Sequence, residues 1–330
     1  MVMKKKVLHV IDTSGAGGAE TVFSNLAAGL DITKFNSIGL IKSGGWLKRN
    51  LQKEGVEFYE RDCKGSFNLK YLWYLVALIR HEKVDLIHSH LLGSNLYACI
   101  AGAITRRPVI ATFHGKVDVS DTERLLGLKL FIISAFAKKI VFVSDSLQEY
   151  ILGLFRFSRK KTEVVLNGVA LPKLCKSKQR AKEIFGFKSD RIVLGTLGNI
   201  RPAKNYRNFI LAVKALHDKG VSVEAVIAGD GENALQAELE GLVLECGLKG
   251  VVRFLGFVDD TGTYLSAIDI FVISSSSEGL PLSLIQAMMV ELNIVATRCG
   301  VEEFIADGEE GLIVENDNPE ALAKGIVKAM

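Results

Sequence analysis

Cysteine is sparse and unpaired in this chain. The five cysteines (Cys63, Cys99, Cys175, Cys246 and Cys299) are scattered, odd in number and form no CxxC pair. That pattern excludes a zinc ribbon and a disulfide framework. It leaves reduced thiols, as expected of a cytoplasmic protein. Proline is scarce as well, with 5 residues, and no low-complexity tract occurs, so a proline-rich or disordered chain is excluded. Long apolar runs are missing: a stretch such as YLWYLVALI (71–79) falls well short of the roughly 20 residues of a membrane-spanning helix. Lys4, Lys5 and Lys6 precede only VLHVI before Asp12 interrupts, too short for the apolar region of a signal peptide.

What is present is globular. Hydrophobic residues make up 48% and charged residues 24% of 330, enough chain for two domains with substantial cores. The net charge of +4 hides an asymmetry. Residues 1–180 carry 28 Lys and Arg against 15 Asp and Glu, or +13; residues 181–330 carry 13 against 22, or −9. A basic first half suits an anionic partner such as a membrane surface or a phosphorylated lipid, and reads equally as a solvated basic face. No nucleic-acid partner is expected. Lys138, Lys139, Arg156, Arg159, Lys160 and Lys161 lie close to Phe155 and Phe157, a pattern suited to peripheral attachment at the inner face of an anionic membrane.

Strands alternate with helices along the chain. KVLHVI (6–11), SIGLI (37–41), VEFYE (56–60), VDLIHSH (84–90), PVIATFHG (108–115) and KIVFVS (139–144) read as apolar strands, with helical patterns between them such as residues 69–83. A second series follows: RIVLGTLG (191–198), a glycine-stopped amphipathic helix over 205–220, VEAVIAGDG (223–231), VVRFLGFV, IDIFVI (268–273) and LNIVAT. Apolar strands separated by helices predict an α/β architecture, two doubly wound Rossmann-like domains with parallel sheets, placed either side of a cleft. The expected boundaries are 1–170 and 190–330. The polar, basic and weakly periodic stretch 171–189 is expected to be a linker.

Five stretches carry chemistry. GAGGAE (15–20) follows the first strand; its glycines let backbone approach a ligand at a helix start, or simply make a tight turn. It lacks the spacing of a dinucleotide fingerprint. His114 in TFHGK ends a strand and suits hydrogen bonding or proton transfer, or a structural role. His88 and His90 share one strand face, but without a third ligand no metal is expected there. In GNIRPAKN (198–205), Arg201 and Lys204 sit at a helix start, where cations are mildly unfavourable unless they meet an anion such as a diphosphate. AGDGEN (228–233) reads as an ordinary turn. In SSSSEGLPLSLIQAM (274–288) Glu278 stands at a strand's C-terminal end. Gly279 permits close approach, Pro281 fits the first helical turn, and the following amides suit a pyrophosphate. Glu278 suits sugar hydroxyls, or acts only as a helix-dipole partner.

Together these residues resemble the family 4 (group 1) retaining glycosyltransferases of GT-B fold, of the bacterial polysaccharide and lipopolysaccharide type. The likeness runs through GAGGAE, HSH, TFHG, VSDSL, VVLNGV, LGNIRPAKN, VIAGDGE, VRFLGFV, SSSSEGLPLSLIQAM and IADGEEGLIV. It implies transfer of a sugar from a nucleotide-diphosphate sugar, held mainly by the second domain, to a lipid-linked or polysaccharide acceptor held mainly by the first. It assigns His114, Arg201, Lys204 and Glu278 to the catalytic centre. Gly17, Gly18, Asn199, Gly229, Gly231, Phe257, Gly279, Leu280, Pro281, Leu282, Gln286 and Glu303 are assigned to the donor site. No cofactor and no metal are expected: no DxD motif is found, and lysine, arginine and helix amides meet the diphosphate charge.

Three departures stand out. Asn199 occupies a position where the family often has arginine, with Arg201 two residues on. Gln286 replaces the second glutamate of the family's E-x7-E pattern. The chain also stops at ALAKGIVKAM, without the usual C-terminal helices. These departures motivate an alternative, a non-catalytic nucleotide-sugar-binding or scaffold subunit. A GT-B enzyme of another reaction, such as a sugar-nucleotide epimerase, is a further one.

Overall fold

The computed structural model describes residues 4–63, 67–119, 123–231 and 233–330. The chain divides into two compact units, Met1–Asn167 and Gly168–Met330. The first unit alternates β1 (Lys5–Val10), α1 (Gly18–Gly29), β2 (Phe35–Ile41), α2 (Gly45–Lys53), β3 (Glu57–Glu60), α3 (Leu69–His81) and β4 (Leu86–His90). It continues through α4 (Leu92–Thr105), β5 (Val109–Phe113), α5 (Leu126–Phe136), β6 (Lys139–Phe142), α6 (Asp145–Leu154) and β7 (Thr162–Val164). The seven strands form one parallel sheet in the order β3-β2-β1-β4-β5-β6-β7. Strand order reverses between β1 and β4, which makes the C-terminal ends of these two strands the switch point of the sheet. The central strands are closed to solvent on both faces: Leu8, Val10, Ile38, Leu40, Ile87 and Ala111 are buried. That is why they read as continuous apolar runs and not as alternation.

The second unit holds α7 (Lys178–Phe185), β8 (Ile192–Leu197), α8 (Tyr206–Asp218), β9 (Val223–Ala228), α9 (Asn233–Glu245) and β10 (Val252–Gly256). After them come α10 (Thr261–Ala267), β11 (Ile270–Ile273), α11 (Leu282–Met289), β12 (Asn293–Thr297), β13 (Leu312–Val314) and α12 (Pro319–Ala329). Its six parallel strands run β10-β9-β8-β11-β12-β13, with the switch point between β8 and β11. One core lies under α8, α9 and α12, and a second under α7, α10 and α11. The fold is thus two Rossmann-like parallel-sheet domains, the α/β class the strand and helix pattern predicts.

Local sequence explains the element ends. Asn68 caps α3 by accepting from the Tyr71 amide at 3.0 Å, and Ser144 caps α6 through Leu147 at 3.2 Å. Helix α8 stops before Gly220, whose φ of +74° only glycine adopts without strain. Within 171–189 the chain forms α7, capped by Ser177, and Ala181 on it is fully buried. Phe185 of α7 meets Tyr264 of α10 edge to face, ring centroids 5.7 Å apart.

Candidate active site

In the second unit the site is built from the two loops that leave the switch-point strands. The loop after β8 runs through a short turn of 3₁₀ helix at Pro202–Lys204, and the loop after β11 carries Ser274, Ser275, Ser276 and Glu278. They are tied backbone to backbone and side chain to backbone. The Ser276 amide donates to the Ala203 carbonyl (2.8 Å) and the Ser274 hydroxyl to the Lys204 carbonyl (2.9 Å). The tie brings the Lys204 ammonium to 2.8 Å from Glu278 Oε1, and the Ser275 hydroxyl donates to the same oxygen at 2.5 Å. The Glu278 amide donates to Cys299 O at 2.7 Å, which anchors the acid to the loop after β12. Gly300 lies against that turn with φ +110°, and a Cβ there would meet Glu278 O at 2.8 Å.

The pair is electrostatically matched. Burial works against the Lys204 ammonium, yet the Glu278 carboxylate outweighs it and holds the lysine pKa above its ordinary value. Lys204 is therefore charged at neutral pH. Burial also raises the phenol of Tyr206, whose hydroxyl donates to the Gly198 carbonyl at 2.6 Å. Burial, then the neighbouring Glu278, pushes the Cys299 thiol up to about 12, so it is an inert neighbour and not a nucleophile.

The remaining second-unit positions surround this pair to different degrees. Gly229 and Gly231 flank the β8 loop: Gly229 has φ +149° and a Cβ on it would overlap the Gly198 carbonyl, while one on Gly231 would overlap Ile200. These glycines therefore have a packing reason, because the chain after β9 runs alongside Asn199 and Ile200 (Ile200 amide to Asp230 O, 2.7 Å). Glu232 of the same turn lies outside the described residues. The Phe257 amide donates to Asp230 Oδ1 at 2.8 Å, and its ring is half exposed. Arg201 is exposed at the start of the 3₁₀ turn. Gly279 and Leu280 precede Pro281, which caps α11 with φ −70° instead of occupying its first helical position; Leu282 begins the helix. Gln286 lies on α11, its amide 3.4 Å from Thr261 Oγ1, and Glu303 is exposed in a 3₁₀ turn at Val301–Glu303.

In the first unit the glycine loop after β1 also has an internal reason. Glu20, on the first turn of α1, folds back buried against it, and a Cβ on Gly17 would overlap its carboxylate. Gly17 caps α1 with extended backbone and its carbonyl accepts from Thr21 N and Oγ1, both at 2.9 Å. A Cβ on Gly18 would meet nothing within 4 Å, so this position faces open space. His114 follows β5. Its Nε2 lies 2.9 Å from His90 Nδ1, and the two rings stack at 5.1 Å. Burial, reinforced by His88, pushes His114 down to about 3, so its imidazole is neutral at physiological pH.

The strand pair His88 and His90 gains a third imidazole that spacing along one strand does not reveal. Parallel pairing sets His9 of β1 directly beside His88 of β4. Ligand-capable nitrogens of His9, His88 and His90 all lie within 4.8 Å of one another. The missed signal is the histidine in the first strand, visible only once β1 and β4 are known to be neighbours. Of the basic cluster, Lys139 pairs with Glu163 at 3.0 Å and Lys161 caps the end of α5 through the carbonyls of Ser134 (2.7 Å) and Ala135 (3.1 Å). Phe157 is buried. Among the described residues no helix is long and apolar enough to cross a membrane.

Each of the two parallel α/β sheets carries candidate functional loops at its switch point, and two such Rossmann-like domains in one chain are the GT-B fold. Residues 16–172 match the family model described as Glycosyltransferase Family 4, and residues 191–330 match Glycosyl transferases group 1. The chain belongs to this glycosyltransferase family and is an enzyme of that class. It is 28% identical over 337 residues to a Campylobacter jejuni GalNAc-alpha-(1->4)-GalNAc-alpha-(1->3)-diNAcBac-PP-undecaprenol alpha-1,4-N-acetyl-D-galactosaminyltransferase, covering 97% of this chain and 87% of the relative. It is 25% identical over 274 residues to an Escherichia coli UDP-Gal:alpha-D-GlcNAc-diphosphoundecaprenol alpha-1,3-galactosyltransferase, covering 79% and 70%. Among solved structures, Anabaena HepE in complex with UDP-glucose superposes with a TM-score of 0.88 at 21% identity, covering 98% of this chain and 89% of that one. WaaG, a glycosyltransferase of lipopolysaccharide biosynthesis, gives 0.75 at 15%, covering 98% and 90%.

Proposed function

We propose that this glycosyltransferase moves a sugar from a nucleotide-diphosphate sugar to a lipid-linked or polysaccharide acceptor, with retention at the anomeric carbon and without a metal at the diphosphate. The observation that carries the reading is the Lys204–Glu278 pair at the switch point of the second sheet. Within the protein each partner meets the other's charge. A bound donor takes over both partners: the departing diphosphate meets Lys204, with Arg201 beside it, and the sugar hydroxyls donate to Glu278. The amides from Gly279 to Leu282, at the start of α11, add fixed donors for the phosphate oxygens. Positive charge placed where diphosphate charge develops does the work a divalent cation does elsewhere.

The bond from the anomeric carbon to the diphosphate oxygen breaks as the acceptor oxygen bonds to that carbon. The acceptor hydroxyl's proton passes to the departing diphosphate. In this reading His114 of the first unit, neutral, serves the acceptor as a hydrogen-bonding group and not as a cation. Gln286 supplies hydrogen bonds without charge to the donor's ribose. Relatives whose names specify undecaprenyl-diphosphate acceptors support the lipid-linked class, and a relative whose name specifies UDP-galactose makes a uridine donor the first to try.

Replacing Lys204 or Glu278 by alanine is expected to cut transfer at least about a hundredfold, the scale of losing one fixed charge-stabilising group. Circular dichroism should remain that of a folded protein. Wild-type rates in both variants would sink the assignment.

Membrane contact is part of the same reading and rests on the outer surface of the first unit. Helices α3, α4 and α5 pack side by side and expose Leu69, Trp73, Ile104, Leu128 and Phe131. With the +13 charge of residues 1–180, this surface suits the interface of an anionic bilayer, where the lipid-linked acceptor resides. Sedimentation with phosphatidylglycerol vesicles at low salt, reduced at high salt, is the expected result; no sedimentation at low salt refutes it.

A further inference from the structure

Four of the six histidines, His9, His88, His90 and His114, gather on or just after β1, β4 and β5, and three of them have a geometry that hydrogen bonding within the protein does not use up. His9 and His88 are paired neighbours on β1 and β4, and His88 and His90 lie two apart on one strand face. Ring centroids are 5.5 Å apart for His9–His88 and 4.4 Å for His88–His90. Phe23 of α1 closes over the group, edge-on to His9 at 5.9 Å and to His90 at 5.4 Å. His9 and His90 are 1% and 0% exposed.

We propose that His9, His88 and His90 form a binding site for a first-row transition-metal ion, with Zn²⁺ as its archetype, held by three imidazole nitrogens. Two independent observations carry it. The first is convergence: one nitrogen from each ring lies within 4.8 Å of the others. The second is the distribution of hydrogen bonds. His88 Nε2 is 2.9 Å from Thr112 Oγ1, and His90 Nδ1 is 2.9 Å from His114 Nε2. Each of these rings thus has one nitrogen anchored, which leaves His88 Nδ1 and His90 Nε2 as the candidate ligand atoms. That is the arrangement that orients metal-bound histidines, with the second nitrogen held by a neighbour. His90 Nε2 and both nitrogens of His9 are buried without a hydrogen-bond partner among the described residues.

Orphaned buried nitrogens of this kind each carry a desolvation cost, and one shared ion relieves one nitrogen of His9 together with Nε2 of His90. The ligand set is purely imidazole. That disfavours calcium and magnesium, which require oxygen ligands, and suits zinc, copper, nickel or iron. Three histidines leave a fourth position for water or an anion. The ion would rivet β1 to β4 at the switch point of the first sheet. With Nε2 of His90 metallated, its Nδ1 carries the proton and donates to His114 Nε2, so His114 is protonated on Nδ1. The proposal concerns the first unit alone and stands whether or not the donor site in the second unit is correctly assigned.

The test is metal analysis of the full chain, freed of any affinity tag, produced with added Zn²⁺ and measured after acid release. About one ion per chain is expected to survive gel filtration, and His9→Leu should lower retention at least about tenfold, as for loss of a ligand. The exposed-site variants His81→Ala and His217→Ala should leave it unchanged. Should His9→Leu not fold, Co²⁺-loaded wild-type protein decides the matter: intense visible bands of a four-coordinate nitrogen site are expected, and the weak spectrum of hydrated Co²⁺ refutes the site. Less than about a tenth of an ion per chain in wild-type protein refolded with Zn²⁺, or undiminished binding in folded His9→Leu, also overturns it.

Discussion

Lys204 and Glu278 stand 74 residues apart in sequence and 2.8 Å apart in space. The link between them is topological. Each residue leaves the C-terminal end of a strand beside the point where strand order reverses, and the serines after β11 fasten one loop to the other. Neighbours lock the same arrangement. Tyr206→Phe removes the hydroxyl that holds the Gly198 carbonyl at 2.6 Å in a buried setting. A loss of about 1 kcal/mol is expected, the usual size for one buried hydrogen bond. Chemical denaturation would report it, and an unchanged midpoint would show that the bond contributes nothing.

Gly229 is a backbone position with little tolerance. With φ +149° and the Gly198 carbonyl in the path of any Cβ, Gly229→Ala should destabilise the second unit by about 1–3 kcal/mol. Thermal unfolding several degrees below wild type checks this. A neutral result would mean the β8 and β9 loops separate more easily than their packing implies.

The two glycines ahead of α1 should behave differently. Gly17→Ala collides with the buried Glu20 carboxylate, whereas Gly18→Ala enters open space and replaces a poor helix former at the start of α1. The expected order of thermal stability is Gly18→Ala at or above wild type and Gly17→Ala below it. The reverse order contradicts the role given to Glu20.

Acid stability should depend on Glu82. A hydrogen bond from Lys6 (2.8 Å), then one from Tyr59 (2.6 Å), holds its carboxyl down to about 2, against an ordinary 4.5. A depressed carboxylate stabilises the fold above its unfolded pKa, and that contribution is lost as pH falls through its folded value. Between about pH 4.5 and about pH 2 the wild type should therefore lose more stability than Glu82→Gln. At pH 7 the variant should be the weaker by about 1 kcal/mol. Parallel stability curves for the two proteins would contradict this.

Much of the fold was legible because buried parallel strands print themselves as apolar runs. VLHVI, LGTL and IFVI needed no partner information to be read as strands. The three-residue strands β7 and β13 carry too little pattern to stand out. Helix α7 is short and mostly solvated, so its polar sequence reads as a connection even though Ala181 and Phe185 pack on α10 and its core. Lys204 was legible as a cation misplaced at a helix start and Glu278 as an acid at a strand end, but their ion pair was not, because it depends on which strands neighbour each other. The same limit hid His9 from the His88–His90 pair. Gly17 looked like a ligand-approach glycine and Gly229 like part of an ordinary turn, and the structure gives each a packing reason of its own.

The most direct test of the donor-site account is thermal stabilisation by nucleoside diphosphates and their sugars, starting with UDP and UDP-sugars, in wild type and Glu278→Ala. Calorimetry of the same ligands would follow. The account predicts that one base stabilises the wild type, that brief exposure to EDTA leaves the shift unchanged, and that Glu278→Ala keeps the response to the diphosphate but loses the added response to the sugar. A donor response that needs a divalent cation, or one that Glu278→Ala leaves untouched, would contradict it.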